Sequence, residues 1–278
     1  ASWRNKFISD AYEPGSVFKI LTVAMGYEEG VVNEGSQFKC PGATRVADRL
    51  IHCWKRTGHG DVNLSQALEK SCNCALMAIV ENVGNEKFYD YCDAFGLLDK
   101  TGVDLVGEAS GYFFNEKDFK NPKNKVSLAV ASFGQTFKVT PMQMVCAVGA
   151  VVNDGKLMKP HLVKEIVDDN KIVISKNEPE IVRQIISEKT SDFINKSIEE
   201  TVATGTGKNI DNLPESGRVG KHPSYMSYQS AKKRGDDNPT EGKTMYAHEF
   251  LKDLWDWKTA PVNTSDNVHY NIQEKVYT

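Results

Sequence analysis

No apolar run in this 278-residue chain approaches the roughly 20 residues that span a bilayer, so nothing in it reads as a transmembrane helix. Neither sign of charge is in excess. The formal net charge is −3, and the basic face that nucleic-acid binding usually needs is missing. The chain has no starting Met and no charged-then-apolar leader, and any signal or anchor is expected to lie outside it. Its six cysteines include no Cys-x-x-Cys pair. Cys72 and Cys74 are two apart, too close for that zinc or redox pattern. Cys40 and Cys53 bracket the loop-like stretch "CPGATRVADRLIHC" and leave two readings, a disulfide in an oxidising compartment or free thiols. There is no internal repeat and no regular alternation of strands with helices, which favours an α+β fold over a doubly wound sheet.

What is present is ordinary globular material, 40% hydrophobic and 26% charged, enough for one large domain or two small ones. "YEPGSVFKILTVAMGYEEG" predicts a turn at Pro14-Gly15, then a short helix ending near Gly26 or Gly30. "DVNLSQALEKSCNCALMAIVENVG" predicts two helical stretches on either side of Ser71-Cys72-Asn73, the first capped by Asn63 with Gln66 three residues on. "KFYDYCDAFGL" is amphipathic and stops at Gly96. Thr140 as cap, Pro141 at the first helical position and Gly155 past the end delimit a further helix. "HLVKEIVDDNKIVIS" predicts a hairpin turning at Asp169-Asn170, and "SEKTSDFINKSIEETVATGTG" a helix running into a Gly-rich loop. From about Lys221 the chain turns polar, the composition of a flexible tail, with "HEFLKDLWDW" as one amphipathic helix within it.

Ser-x-x-Lys places two side chains one helical turn apart on one face. A lysine held there in apolar surroundings has its ammonium form disfavoured, and its neutral fraction can take the serine proton. The activated hydroxyl can then attack a carbonyl and form an acyl-enzyme. The pattern occurs at Ser16/Lys19, Ser36/Lys39 and Ser230/Lys233. Ser36 runs straight into Cys40-Pro41 with no helix, and Lys233 lies in a charged stretch where it would be fully solvated. Ser16 opens a helix whose next residues include Ile20, Leu21, Val23 and Ala24, and it is the candidate nucleophile, with Lys19 as its base. A lysine there is either snorkelling to the surface or buried for a purpose. Ser-x-Asn recurs at Ser71/Asn73, Ser175/Asn177 and Ser265/Asn267. Ser71-Cys72-Asn73, between two helices, is the one placed to project into a cleft.

"YEPGSVFKI", "GHGDVNLSQALEKSCN", "FGLLDKTGVDLVGE", "ASFGQTFKVTPMQM" and "VVNDGKLMKPHLVKEI" follow one another as in class B penicillin-binding proteins. Over roughly residues 5 to 220 the sequence resembles their transpeptidase domain, in the penicillin-binding protein 2 and stage V sporulation protein D group. The resemblance implies a peptidoglycan D,D-transpeptidase of penicillin-binding, serine β-lactamase-like α+β fold, with an antiparallel sheet and a helical subdomain. Ser16 would attack the penultimate D-Ala of a stem peptide, Lys19 would act as base, Ser71 would pass the proton on, and Asn73 would hold the substrate amide. β-Lactams would acylate Ser16. No metal or organic cofactor is implied. The implied partners are peptidoglycan stem peptides, β-lactam antibiotics and cell-division or sporulation proteins, and the implied place is the extracytoplasmic face of the bacterial membrane.

The family's third motif, Lys-Thr-Gly, follows a Gly-Thr-Gly segment. Here Lys221 falls at that place as the candidate substrate-binding lysine, but His222-Pro223 replaces Thr-Gly. Pro223 cannot donate a ladder hydrogen bond and fits poorly inside a strand. The literal Lys100-Thr101-Gly102 instead matches the family's "KTGIDLPGE" loop, away from the active-site strand. The expected organisation is a transpeptidase domain over 1–220 lacking its N-terminal strands, then a divergent, partly disordered segment over 221–278, with a gene fragment or altered reading frame as its origin and natural divergence as the alternative. Two other functions stay open: a serine β-lactamase or β-lactam sensor, and a non-catalytic module binding peptidoglycan or division proteins.

Overall fold

The computed structural model describes residues 4–206 and the strand at 269–272. The expected amphipathic helix "HEFLKDLWDW" lies outside the described residues. In chain order, α1 (Lys6–Ser9) is followed by a 3-10 turn (Gly15–Phe18) that passes directly into α2 (Lys19–Glu28). Four short strands come next: β1 (Gln37–Cys40), β2 (Ala43–Val46), β3 (Arg49–His52) and β4 (Gly60–Asn63). The helices α3 (Leu64–Glu69), α4 (Asn73–Val83), α5 (Asn85–Ala94), α6 (Glu116–Phe119), α7 (Lys125–Ala131) and α8 (Pro141–Val152) build the middle of the chain. Then follow β5 (Lys156–Met158), β6 (Val163–Val167), β7 (Val173–Lys176), β8 (Ile181–Gln184), α9 (Glu188–Ala203) and β9 (His269–Ile272).

The core forms around α2. Leu21, Val23, Ala24 and Met25 are fully buried, so this helix is apolar around most of its circumference and packs against α3, α4, α8 and α9. Its one buried hydroxyl, on Thr22, donates to the Ser132 carbonyl at 2.8 Å and so avoids the cost of an unmet polar group. α2 ends at Glu28, just before Gly30 (φ 66°), the second of the two expected stops, and Gly26 is not the stop. It lies inside α2, where an added Cβ would come 2.5 Å from Ile79 Cγ2 of α4. The glycine is there to let two helices approach closely. Phe18 anchors the 3-10 turn, with its ring edge-on to Phe137 at a centroid distance of 4.9 Å.

Local capping follows the sequence. Asn63 and Gln66 make a reciprocal capping box at the start of α3, and Thr140 and Gln143 make another at α8, with Pro141 at its first position. The hairpin of β6 and β7 turns as expected, Val167 pairing with Val173, while the Asp168 carboxylate accepts from the backbone N–H groups of Asn170 and Ile172. All the pairings are antiparallel: β1 with β4, β2 with β3, β5 with β8, and β6 between β7 and β9. The fold is thus α+β with a helical core.

One stretch differs from expectation. The loop-like segment between Cys40 and Cys53 is an antiparallel hairpin of β2 and β3, with Ala47 in the left-handed region (φ 49°) at its turn. Its strands have four residues each, β2 mostly half-buried and β3 mostly exposed, and neither carries a period-2 apolar pattern. Cys40 and Cys53 are both buried free thiols, which is the second of the two readings.

Candidate active site

Ser16 sits exposed on the 3-10 turn that opens α2. Lys19, one turn on, points inward and is 2% exposed, so the apolar helix has buried its lysine rather than let it snorkel. The ammonium donates two hydrogen bonds of 2.8 Å, to the Ser71 carbonyl and to Ser71 Oγ. Ser71 Oγ in turn donates to Ser16 Oγ at 3.1 Å. Three side chains from two segments 52 to 55 residues apart therefore form one hydrogen-bonded chain, with Ser71 as the link.

Burial lowers the Lys19 pKa to about 8, against the opposing pull of the neighbouring Cys53 and Cys72. Near pH 7 roughly a tenth of such lysines are neutral and able to accept a proton. Ser71 occupies the left-handed region with φ 50°, uncommon for a residue with a side chain. This conformation breaks the chain between α3 and α4 and turns the hydroxyl toward Lys19. Asn73 begins α4, half-buried, and its side-chain N–H donates to the His52 carbonyl at 3.2 Å. The structure thus brings Ser16, Lys19 and Ser71 together and ties Asn73 to the end of β3. Lys221, the fifth expected residue, lies outside the described residues, as do Ser230, Lys233, Ser265 and Asn267.

The alternative spellings have other surroundings. Ser36 Oγ accepts from the Asn33 N–H, and Lys39 is exposed on β1. Asn177 donates to the Val163 carbonyl. Thr101 and Gly102 of the literal Lys-Thr-Gly bind the Glu108 carboxylate: the Thr101 N–H at 2.7 Å, its hydroxyl at 2.5 Å and the Gly102 N–H at 3.1 Å. These bonds close a local loop.

Residue-by-residue reading missed a second layer. The Gly134 carbonyl accepts from the Gly15 N–H at 2.8 Å, immediately before the candidate nucleophile. A Cβ on Gly134, whose φ is 78°, would overlap the Gly15 backbone. Glu13 accepts from the Thr136 N–H at 3.1 Å, and Tyr12 and Val139 exchange backbone bonds of 2.9 and 3.0 Å. Residues 134–139 thereby clamp the approach to Ser16. The signal was the stretch "ASFGQTFKV", whose glycine precedes a Gln-Thr turn.

Residues 1–221 match the family model described as the penicillin binding protein transpeptidase domain. Stage V sporulation protein D of Bacillus subtilis is 40% identical over 219 residues, covering 78% of this chain and 33% of that protein. The peptidoglycan D,D-transpeptidase MrdA of Escherichia coli K12 is 27% identical over 186 residues, covering 64% of this chain and 29% of that protein. Penicillin-binding protein 3 of Mycobacterium tuberculosis, solved in complex with ampicillin, is 25% identical and superposes with a TM-score of 0.67, covering 74% of this chain and 46% of that one. The chain spans between 25% and 38% of the length of the curated relatives it matches. With most of its length inside the family model, and two in five residues shared with one relative across that region, the chain belongs to the penicillin-binding protein transpeptidase domain family.

Proposed function

We propose that this chain carries out peptidoglycan D,D-transpeptidation through an acyl-enzyme at Ser16. The observation that carries the reading is the hydrogen-bonded chain from Lys19 through Ser71 to Ser16. It links a base whose neutral form is populated near neutral pH to a hydroxyl exposed to solvent. The names of relatives agree: MrdA is a peptidoglycan D,D-transpeptidase, and penicillin-binding protein 3 holds ampicillin or aztreonam in its crystals.

In this mechanism Ser16 Oγ attacks the penultimate D-Ala carbonyl of a stem peptide. The hydroxyl proton passes to Ser71, and the Ser71 proton to neutral Lys19; the hydroxyls rotate to allow it. Collapse of the tetrahedral intermediate breaks the C–N bond, and the same route returns a proton to the departing amine of D-Ala. An amine from a neighbouring strand then attacks the ester, forms the new amide and restores Ser16. Asn73 holds the substrate amide, and Lys221 binds the substrate carboxylate. Residues 1–220 act as the transpeptidase domain, to whose β6 the strand His269–Ile272 of the 221–278 segment is added, at the extracytoplasmic face of the membrane, with cell-division or sporulation proteins as partners. Among the described residues no helix is long and apolar enough to cross a membrane.

Fluorescent penicillin with mass-spectrometric mapping tests this directly. One stable acyl adduct on Ser16, lost in Ser16→Ala, is expected. Folded chain that takes no label under excess penicillin, or takes it at another residue, overturns the proposal; rapid turnover of the label identifies a β-lactamase instead.

A further inference from the structure

Beside the second motif lies a basic surface that the proposed reaction does not use. Between Arg45 and Arg56 the chain carries four cations, Arg45, Arg49, Lys55 and Arg56, against the one carboxylate of Asp48, although its net charge is −3. Asp48 pairs with Arg49 at 3.6 Å. Among the described residues, Arg45, Lys55, Arg56 and Lys70 have no ion-pair partner. We propose that Arg45, Lys55, Arg56 and Lys70, with Trp54 among them, bind the acidic stem peptide of the acceptor strand, the one whose amine resolves the acyl-enzyme. The proposal rests on the reading of Ser16 as a transpeptidase nucleophile and adds to it the place of the second substrate.

The fold sets these cations next to Ser71. Strand pairing puts Arg45 opposite Leu50 and Ala43 opposite His52, so by the alternation of strand faces Arg45, Leu50 and His52 share one side of the β2–β3 hairpin. Val46 and Ile51, on the other side, pack against the core, which leaves the first side to solvent. The hairpin ends at the site itself, where the His52 carbonyl holds Asn73. Trp54 is 59% exposed, and its indole Nε1 donates to the Lys70 carbonyl at 3.0 Å. That bond fixes the loop after β3 against the residue preceding Ser71. Lys55, Lys70 and Lys19 also act on one imidazole: after burial, their charges in that order lower the His59 pKa. The basic surface and the candidate base are therefore neighbours.

The proposed chemistry decides which strand this side receives. The Lys19–Ser71 route returns a proton to the departing amine of D-Ala, and by microscopic reversibility it takes one from the amine that attacks the ester. Both amines therefore lie beside Ser71. The departing amine carries a single residue, whereas the attacking amine carries a whole stem peptide, which has to extend over the surface around Ser71.

The surface matches that ligand. Stem peptides bear free carboxylates, and an acceptor amine of diaminopimelate has one on the same carbon. Cations beside it hold the carboxylate and favour the neutral form of the amine, the form that attacks. Leu50 and Trp54, both exposed, offer apolar area for the aliphatic part of the same side chain. A tryptophan set among unpaired arginines and lysines has the composition of a binding surface rather than of an ordinary solvated face.

The test measures binding of a fluorescent stem tetrapeptide to the full chain by anisotropy. The peptide lacks the terminal D-Ala, so it serves as acceptor and not as donor, and its binding needs no turnover. Saturable binding is expected. The variant Lys55→Gln/Arg56→Gln/Lys70→Gln should bind about 10-fold more weakly at unchanged Tm, while Lys55→Arg/Lys70→Arg should bind as the wild type does. Amidation of the peptide carboxylates, or a rise in salt from about 0.05 M to about 0.5 M, should bring the wild type down to the level of the triple variant. Lys171→Gln, on the exposed β6–β7 turn, should change nothing. Equal affinity in wild type and triple variant, equal affinity for the amidated peptide, or saturable binding to anionic lipid vesicles without binding of the peptide overturns the proposal. Penicillin labelling of Ser16, run alongside, separates the two readings: a labelled chain with any of those results loses the acceptor site alone, and a folded chain that takes no label loses both.

Discussion

Replacing Lys19 with methionine should stabilise the fold while removing its chemistry, because the side chains are similar in length and only one carries charge. Lys19 is 2% exposed, and its pKa falls from 10.5 to about 8 on folding. Between those values the unfolded chain binds the extra proton and the folded chain does not, so stability rises with pH through that window. Below pH 8 both states are protonated, and the cost of burying the charge is fully present. At 1.36 kcal/mol per unit, that cost is about 3 kcal/mol at pH 7 and falls to about 1 kcal/mol at pH 10. Lys19→Met escapes the cost but loses two hydrogen bonds to Ser71, each worth about 1 kcal/mol net. The variant should therefore exceed the wild type by about 1 kcal/mol at pH 7. The informative quantity is the difference between the two proteins in urea unfolding at pH 7 and at pH 10, in which the titration of other groups cancels. The wild type should gain about 2–3 kcal/mol on the variant between these pH values. A difference that does not move with pH would refute a buried, titrating Lys19. Penicillin acylation of the variant should fall by about 10² to 10⁴-fold, the range for loss of a general base.

Ser71→Ala removes the link between Lys19 and Ser16 and should slow acylation by about 100-fold with little loss of Tm, read by stopped-flow penicillin labelling and thermal unfolding. Gly134→Ala forces a Cβ against the Gly15 backbone at a positive φ, and should cost about 1–3 kcal/mol in urea unfolding while slowing labelling at Ser16. Glu108→Ala strips three hydrogen bonds from the Thr101-Gly102 loop and should lower stability by about 1–3 kcal/mol while leaving Ser16 labelling intact. Lost labelling in folded Glu108→Ala would instead mean that the literal Lys-Thr-Gly serves the active site.

What the sequence determined by itself is what depends on near neighbours. The capping boxes at Asn63 and Thr140 join residues three apart, and the β6–β7 hairpin turns on an Asp-Asn pair. The spacing of Ser16 and Lys19 puts both on one turn, and the apolar residues after them mark a buried helix. The order of the motifs along the chain was enough to recognise the family, which the comparisons bear out.

Only the tertiary structure decided which partners these residues meet. Nothing local shows that the Lys19 ammonium ends on Ser71, 52 residues away, or that a left-handed serine aims the hydroxyl at it. Gly26 and Gly30 read alike as helix stops until α4 is seen packed against Gly26. The β2–β3 hairpin escaped because its short strands carry no apolar alternation to read. Cys72 and Cys74, judged against one another, are too close for a Cys-x-x-Cys pattern. In space Cys72 has Cys40, Cys53 and His59 around it, brought there in part by the pairing of β1 with β4. Local spacing records propensity, while a site built from distant segments exists only once the core has folded and fixed their separation.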